Sequence, residues 1–134
     1  MSHSKSEIYV HAVWNTKDKY PFLLDKKPEI ISHIRKEIYK LECRVISVNG
    51  TQDHIHVLFK LNPSLALSYV IKQIKAETSH WINENNFYLA KFSWQIGYGA
   101  FSVSEFMVEK IDKYIRNQEE HHHEGTAIDY IENC

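Results

Sequence analysis

Two imidazoles flank one bulky apolar residue in the run Asp53-His54-Ile55-His56-Val57-Leu58. Side chains alternate across a β-strand, so His54 and His56 project from one face. Ile55, Val57, Phe59 and Leu61 fall on the other, which suits a core. Two neighbouring imidazoles are half of a metal site. The competing reading is a solvent-facing pair on an edge strand, or one hydrogen-bonded histidine beside an exposed one. Asp53 is placed to orient an imidazole by accepting from its ring N–H; as a turn residue it has a simpler role. Sixty residues further on, Tyr114-Ile115-Arg116-Asn117-Gln118 offers a phenol and an amide. On a helix Tyr114 and Gln118 lie about 40° apart and one turn from each other. They flank an apolar stripe of Met107, Ile111 and Ile115, so a docked helix can aim both into one pocket. Tyr114 alone also reads as a rim aromatic.

The elements that must position these groups follow from periodicity. Residues 7–15 alternate as a strand, and Asp25 with Pro28 marks the start of a helix carrying Ile30, Ile31, Ile34, Ile38 and Leu41. Cys43 to Val48 reads as a second strand, Asn49-Gly50 as a turn, and His54 to Leu61 as a third strand. Leu67, Val70, Ile71, Ile74 and Trp81 mark a helix from about Ser64 to Asn83. An irregular segment with Gly97 and Gly99 leads into a short last strand. Ser102-Val103-Ser104-Glu105 has capping-box spacing before a third helix with Phe106, Met107, Val108, Ile111 and Ile115. The order β-α-β-β-α-β predicts an α+β, ferredoxin-like antiparallel sheet with helices on one face and an added C-terminal helix carrying the tyrosine. The two histidines are then expected on the open face of the sheet. His11 is a lone histidine and reads as structural. Trp14, Trp81 and Trp94 read as core anchors, and His121-His122-His123 as a polar helix end, because consecutive helical residues diverge too far to chelate together.

The 134 residues predict one domain, 1–134, ending in an acidic tail over 120–134. Hydrophobic and charged shares of 43% and 25% are those of a soluble globular chain. No apolar run reaches the ~18 residues of a membrane span and the amino terminus lacks a signal-like core. Cys43 and Cys134 make neither a disulfide framework nor a zinc ligand set, which favours a reducing, cytoplasmic setting. The net charge of -1 is unevenly spread: residues 119–134 hold five of the 17 acids and no Lys or Arg, leaving 12 acids against 16 basic residues, a net +4, over residues 1–118. A mildly basic body permits contact with phosphates.

Taken together, Val13-Trp14-Asn15-Thr16-Lys17, Asp53-His54-Ile55-His56-Val57-Leu58, the run Trp94-Gln95-Ile96-Gly97-Tyr98-Gly99-Ala100-Phe101-Ser102-Val103-Ser104, and Tyr114-Ile115-Arg116-Asn117-Gln118 before His121-His122 resemble the single-tyrosine transposases of the HUH endonuclease superfamily. The resemblance spans roughly residues 7–123. It departs after Lys17, where the family usually has an arginine and this chain has Asp18-Lys19-Tyr20. It implies a prokaryotic enzyme that cleaves and rejoins single-stranded DNA at hairpin-bearing element ends, with Tyr114 as nucleophile and a 5′-phosphotyrosine intermediate. It further implies Mg²⁺ or Mn²⁺ held by His54, His56 and Gln118, a homodimer, and DNA contacts from candidates such as Lys17, Lys19, Arg44, Lys72 and Lys75. Two imidazoles and an amide oxygen suit an octahedral divalent ion with positions left for phosphate, whereas structural zinc wants four protein ligands. The alternatives are a related nuclease domesticated to process palindromes and a non-catalytic hairpin-binding dimer.

Overall fold

In the computed structural model, residues 4–118 are described; the acidic tail and His121-His122-His123 lie outside them. The order is β1 (Tyr9–Asn15), α1 (Lys27–Lys40), β2 (Arg44–Gly50), β3 (His54–Lys60), α2 (Leu67–Glu84), β4 (Gly99–Val103) and α3 (Val108–Arg116), with short 3-10 turns at Lys17–Lys19 and Glu105–Met107. The four strands form one antiparallel sheet in the order β2-β3-β1-β4. The expected α+β, ferredoxin-like arrangement is therefore present.

One face of the sheet carries Val10, Ala12 and Trp14 from β1 and Ile55, Val57 and Phe59 from β3. Ile30, Ile34 and Ile38 of α1 and Val70, Ile71 and Ile74 of α2 close over them, as their helical spacing predicts. α3 lies on the other face, where Ile111, Tyr114 and Ile115 cluster with Leu58 and rest on Ile46 and Val103. The face expected to be open is thus covered. His56 is fully buried and His54 only 8% exposed, because an amphipathic helix with a narrow apolar stripe needs a surface, and the second face is the one available.

Several local expectations are corrected. Asp25 does not cap α1: Lys26 occupies the N-cap position without a side-chain bond, and Pro28 takes the first turn, where its missing N–H costs nothing. Asn49-Gly50 is not the hairpin turn; both residues belong to β2, and residues 51–53 make the connection. Ser102 lies in β4 rather than in a cap, and Phe106 is 94% exposed in the 3-10 turn rather than on an apolar helix face.

β2 carries a bulge between Val45 and Ser47: Val45 pairs with Phe59, yet Ser47 pairs with Leu58 and Asn49 with His56. One inserted residue flips every side chain beyond it to the other face. Val45 and Val48 therefore both reach the α1–α2 core although they are three apart, and Asn49 is turned toward α3.

Candidate active site

β3 supplies the histidine pair by simple alternation, and their ring centroids are 5.1 Å apart. α3 brings Tyr114 over His56, edge to face with centroids 5.9 Å apart. The phenol thus lies against His56, and His56 beside His54, although about sixty residues separate tyrosine and histidines in sequence; all three side chains are largely buried. Gln118 is fully buried just beyond the C-terminal end of α3, one turn after Tyr114.

Each histidine is held through Nδ1. His54 Nδ1 lies 2.8 Å from Asp53 Oδ1 and 2.9 Å from Thr51 Oγ1. An ionised carboxylate only accepts, so Asp53 selects the tautomer with the proton on Nδ1 and the lone pair on Nε2. His56 Nδ1 lies 2.9 Å from Nε2 of His11, a buried partner on β1. Reading His11 as a lone structural residue thus missed its place beside His56. Alternation puts His11 on the same face as Tyr9 and Val13, but its meeting with His56 depends on β1–β3 register, which no local pattern reports. In that register His56 faces Val13 and His11 faces Leu58, so the two imidazoles are diagonal neighbours.

Asn49 was the other residue missed. Its Nδ2 donates to the carbonyls of Ile115 and Arg116, both at 3.0 Å, tying the last turn of α3 to β2. These are carbonyls that a helix leaves without an intrahelical donor. The spacing Val45…Val48 was the available signal, since it violates period 2. Asn49→Ala is expected to lower stability by roughly 1–2 kcal/mol, at about 1 kcal/mol per hydrogen bond. Thermal denaturation reads that loss, and tryptic cleavage after Lys110, Lys113 or Arg116 of the folded chain should accelerate.

The basic candidates divide. Lys17 and Lys19 sit on an exposed 3-10 turn with left-handed backbone at Asp18 and Lys19. That turn is stitched to both the site and the 93–95 segment: Thr16 N donates to the Asp53 carbonyl and Lys17 N to that of Ser93. Lys72 and Lys75 line a groove of about 750 Å³ between α2 and residues 91–98, with Lys91, His80 and Tyr98 on its walls and no carboxylate among its lining residues. Lys75 is not a simple surface cation. Its Nζ donates to the carbonyls of Gln95 and Gly97, at 2.9 and 2.7 Å, and burial lowers its pKa. Gly97, at φ 96°, provides the left-handed turn there. Arg44 pairs with Lys60 at the far end of β2 and β3, about 20 Å along the strands from His54 at ~3.3 Å per residue. It shares no pocket with the histidines.

Among the described residues no three His, Cys, Asp or Glu side chains are grouped so as to hold a metal on their own. No described helix is long and apolar enough to cross a membrane.

This layered fold, an antiparallel sheet with two helices on one face and a short third on the other, is shared with known proteins. The family described as IS200-like transposases matches residues 4–118, and the chain belongs to that family. A protein described as a transposase from Deinococcus radiodurans R1 has a similar structure, with a TM-score of 0.70 at 20% identity over 88% of this chain and 98% of its own. A REP-associated tyrosine transposase bound to a REP hairpin is similar at a TM-score of 0.67 and 16% identity, over 95% of this chain and 76% of its own. No curated protein matches the chain at a significant level.

Proposed function

We propose that this chain is a metal-dependent transposase that cuts and reseals single-stranded DNA at hairpin-bearing element ends, with Tyr114 as the nucleophile. The observation that carries the reading is the cluster in which His56 lies 5.1 Å from His54 and 5.9 Å from Tyr114, ring centroid to ring centroid. The donor set fits a divalent cation: Nδ1 of each imidazole is engaged within the protein, which leaves Nε2 as the atom through which each would ligate when its proton is on Nδ1. His54, His56 and Gln118 would hold Mg²⁺ or Mn²⁺. When bound, the ion supplies charge stabilisation on the non-bridging oxygens of the scissile phosphate.

The chain's own residues do the rest. Tyr114 Oη forms a bond to phosphorus as the bond from phosphorus to the 3′-oxygen breaks, giving a 5′-phosphotyrosine and a free 3′-hydroxyl. The phenol gives up its proton during attack. Attack by another 3′-hydroxyl on the tyrosyl ester then restores the phenol and reseals DNA, because the ester keeps the bond energy that water would have discharged. Lys17 and Lys19 on the exposed 3-10 turn, and Lys72 and Lys91 in the groove beside α2, offer phosphate contacts; Tyr98 offers a stacking face. Similarity to a protein bound to a REP hairpin supports a hairpin as the DNA form recognised. A hairpin-bound neighbour is equally compatible with a second reading, a nuclease with the same chemistry that processes palindromes for its host. Both readings place a homodimer in the cytoplasm of a prokaryotic cell.

The test is incubation of the full chain with single-stranded oligonucleotides bearing the hairpins that flank its gene, plus Mn²⁺. A covalent protein–DNA species on a denaturing gel, lost with EDTA, is expected. Hairpin binding with no adduct under any metal condition would leave only the non-catalytic binding module.

A further inference from the structure

We infer that His11 is a positioning residue for His56: its Nε2 accepts the Nδ1–H of His56 and so fixes the ring with Nε2 as the ligating atom. The inference rests on the metal-dependent reading above. The two rings are buried, with centroids 5.1 Å apart and planes inclined at 34°. At 2.9 Å the facing nitrogens must share one proton, since two N–H groups would repel and two lone pairs would leave a short contact without a bond. The direction of sharing decides the chemistry. With the proton on His56 Nδ1, its Nε2 keeps a lone pair; with the proton on His11 Nε2, the only proton left for His56 sits on Nε2 and blocks ligation.

His54 shows which direction the pocket needs, because the Asp53 carboxylate already enforces a proton on its Nδ1. The two imidazoles therefore present matching Nε2 atoms only when His11 accepts. His11 is itself confined, with its ring centroid 6.4 Å from that of Phe101 and 6.5 Å from that of Tyr114, so it cannot swing aside without repacking α3 and β4. An imidazole in this place has a consequence that a carboxylate would not. It accepts the hydrogen bond without adding negative charge beneath a pocket that must receive a phosphodiester.

The experiment compares wild type with His11→Gln, which keeps an acceptor, His11→Phe and His11→Met, which remove it, and His56→Ala. Two readouts are taken on full chains whose thermal unfolding is cooperative: the ring ¹⁵N shifts of His56 without metal, and Mn²⁺ affinity by electron paramagnetic resonance. We expect the Nδ1–H form of His56 in wild type and its loss in the acceptorless variants. Mn²⁺ should bind those variants 10- to 100-fold more weakly, the usual effect of removing a ligand's hydrogen-bond partner, with partial recovery in His11→Gln. His11→Met, with its adaptable side chain, serves if the Phe variant does not fold. An acceptorless variant that keeps both the tautomer and the affinity overturns the role of His11 alone. Mn²⁺ binding that is equally weak in wild type and His56→Ala overturns the metal reading, and the role of His11 with it.

Discussion

Tyr114→Phe is expected to abolish the covalent DNA adduct and strand cleavage, a loss on the order of 10⁴-fold or more, as when a nucleophile is removed from a preorganised site. The phenyl ring preserves the packing against Leu58, Ile111 and Ile115 and the edge-to-face contact with His56. Only Oη is lost. Gel-shift affinity for the hairpin and Mn²⁺ affinity should therefore stay close to wild type while the adduct band disappears. That pattern separates a missing nucleophile from a damaged pocket. Persistence of an adduct in this variant would move the chemistry to another side chain, and adduct mapping by mass spectrometry would locate it.

Gly50→Ala is expected to be the most damaging small substitution in the fold. A Cβ at Gly50 would stand 2.1 Å from the carbonyl oxygen of His54 and 3.1 Å from the Cα of Ile55. These are backbone atoms of a paired strand, so no rotamer change relieves the clash. Overpacking usually costs about 1–3 kcal/mol, and a backbone-on-backbone clash should reach or exceed the upper end. The strain falls on His54, whose carbonyl also accepts from Thr51 N at 3.0 Å. Denaturant titration should show the lost stability, and Mn²⁺ affinity measured well below the unfolding midpoint should fall as well. Wild-type stability in this variant would mean that β2 and β3 are not so closely apposed at the site.

Much of this was legible in the chain because the relevant physics is local. Strict alternation in β3 separates His54 and His56 from Ile55, Val57 and Phe59, and the spacing of Ile30, Ile34 and Ile38 gives α1 one face. What stayed hidden depends on pairs of elements. The β2 bulge, which turns Asn49 toward α3, shows in the chain only as the odd spacing of Val45 and Val48, and what it does is set by cross-strand register. The meeting of His11 with His56 depends on how β1 slides along β3. That α3 returns to cover the histidine face was not legible either: an apolar stripe shows that a helix docks, not on which side of a sheet. Arg44 looks like one basic residue among several until the hairpin places it at the opposite end of the strands from His54.

The sheet is covered on both faces, and β1 and β3 are its two inner strands. The histidines therefore sit on backbone whose amide hydrogens should be the slowest to exchange with solvent, opening only when the whole domain does. Tyr114 rides instead on a nine-residue helix seated on a small cluster, of the kind that detaches in partial openings far below the global limit. The paired imidazoles of β3 are thus anchored in the most protected part of the fold, while Tyr114, and Gln118 one turn after it, ride on the part that should open first.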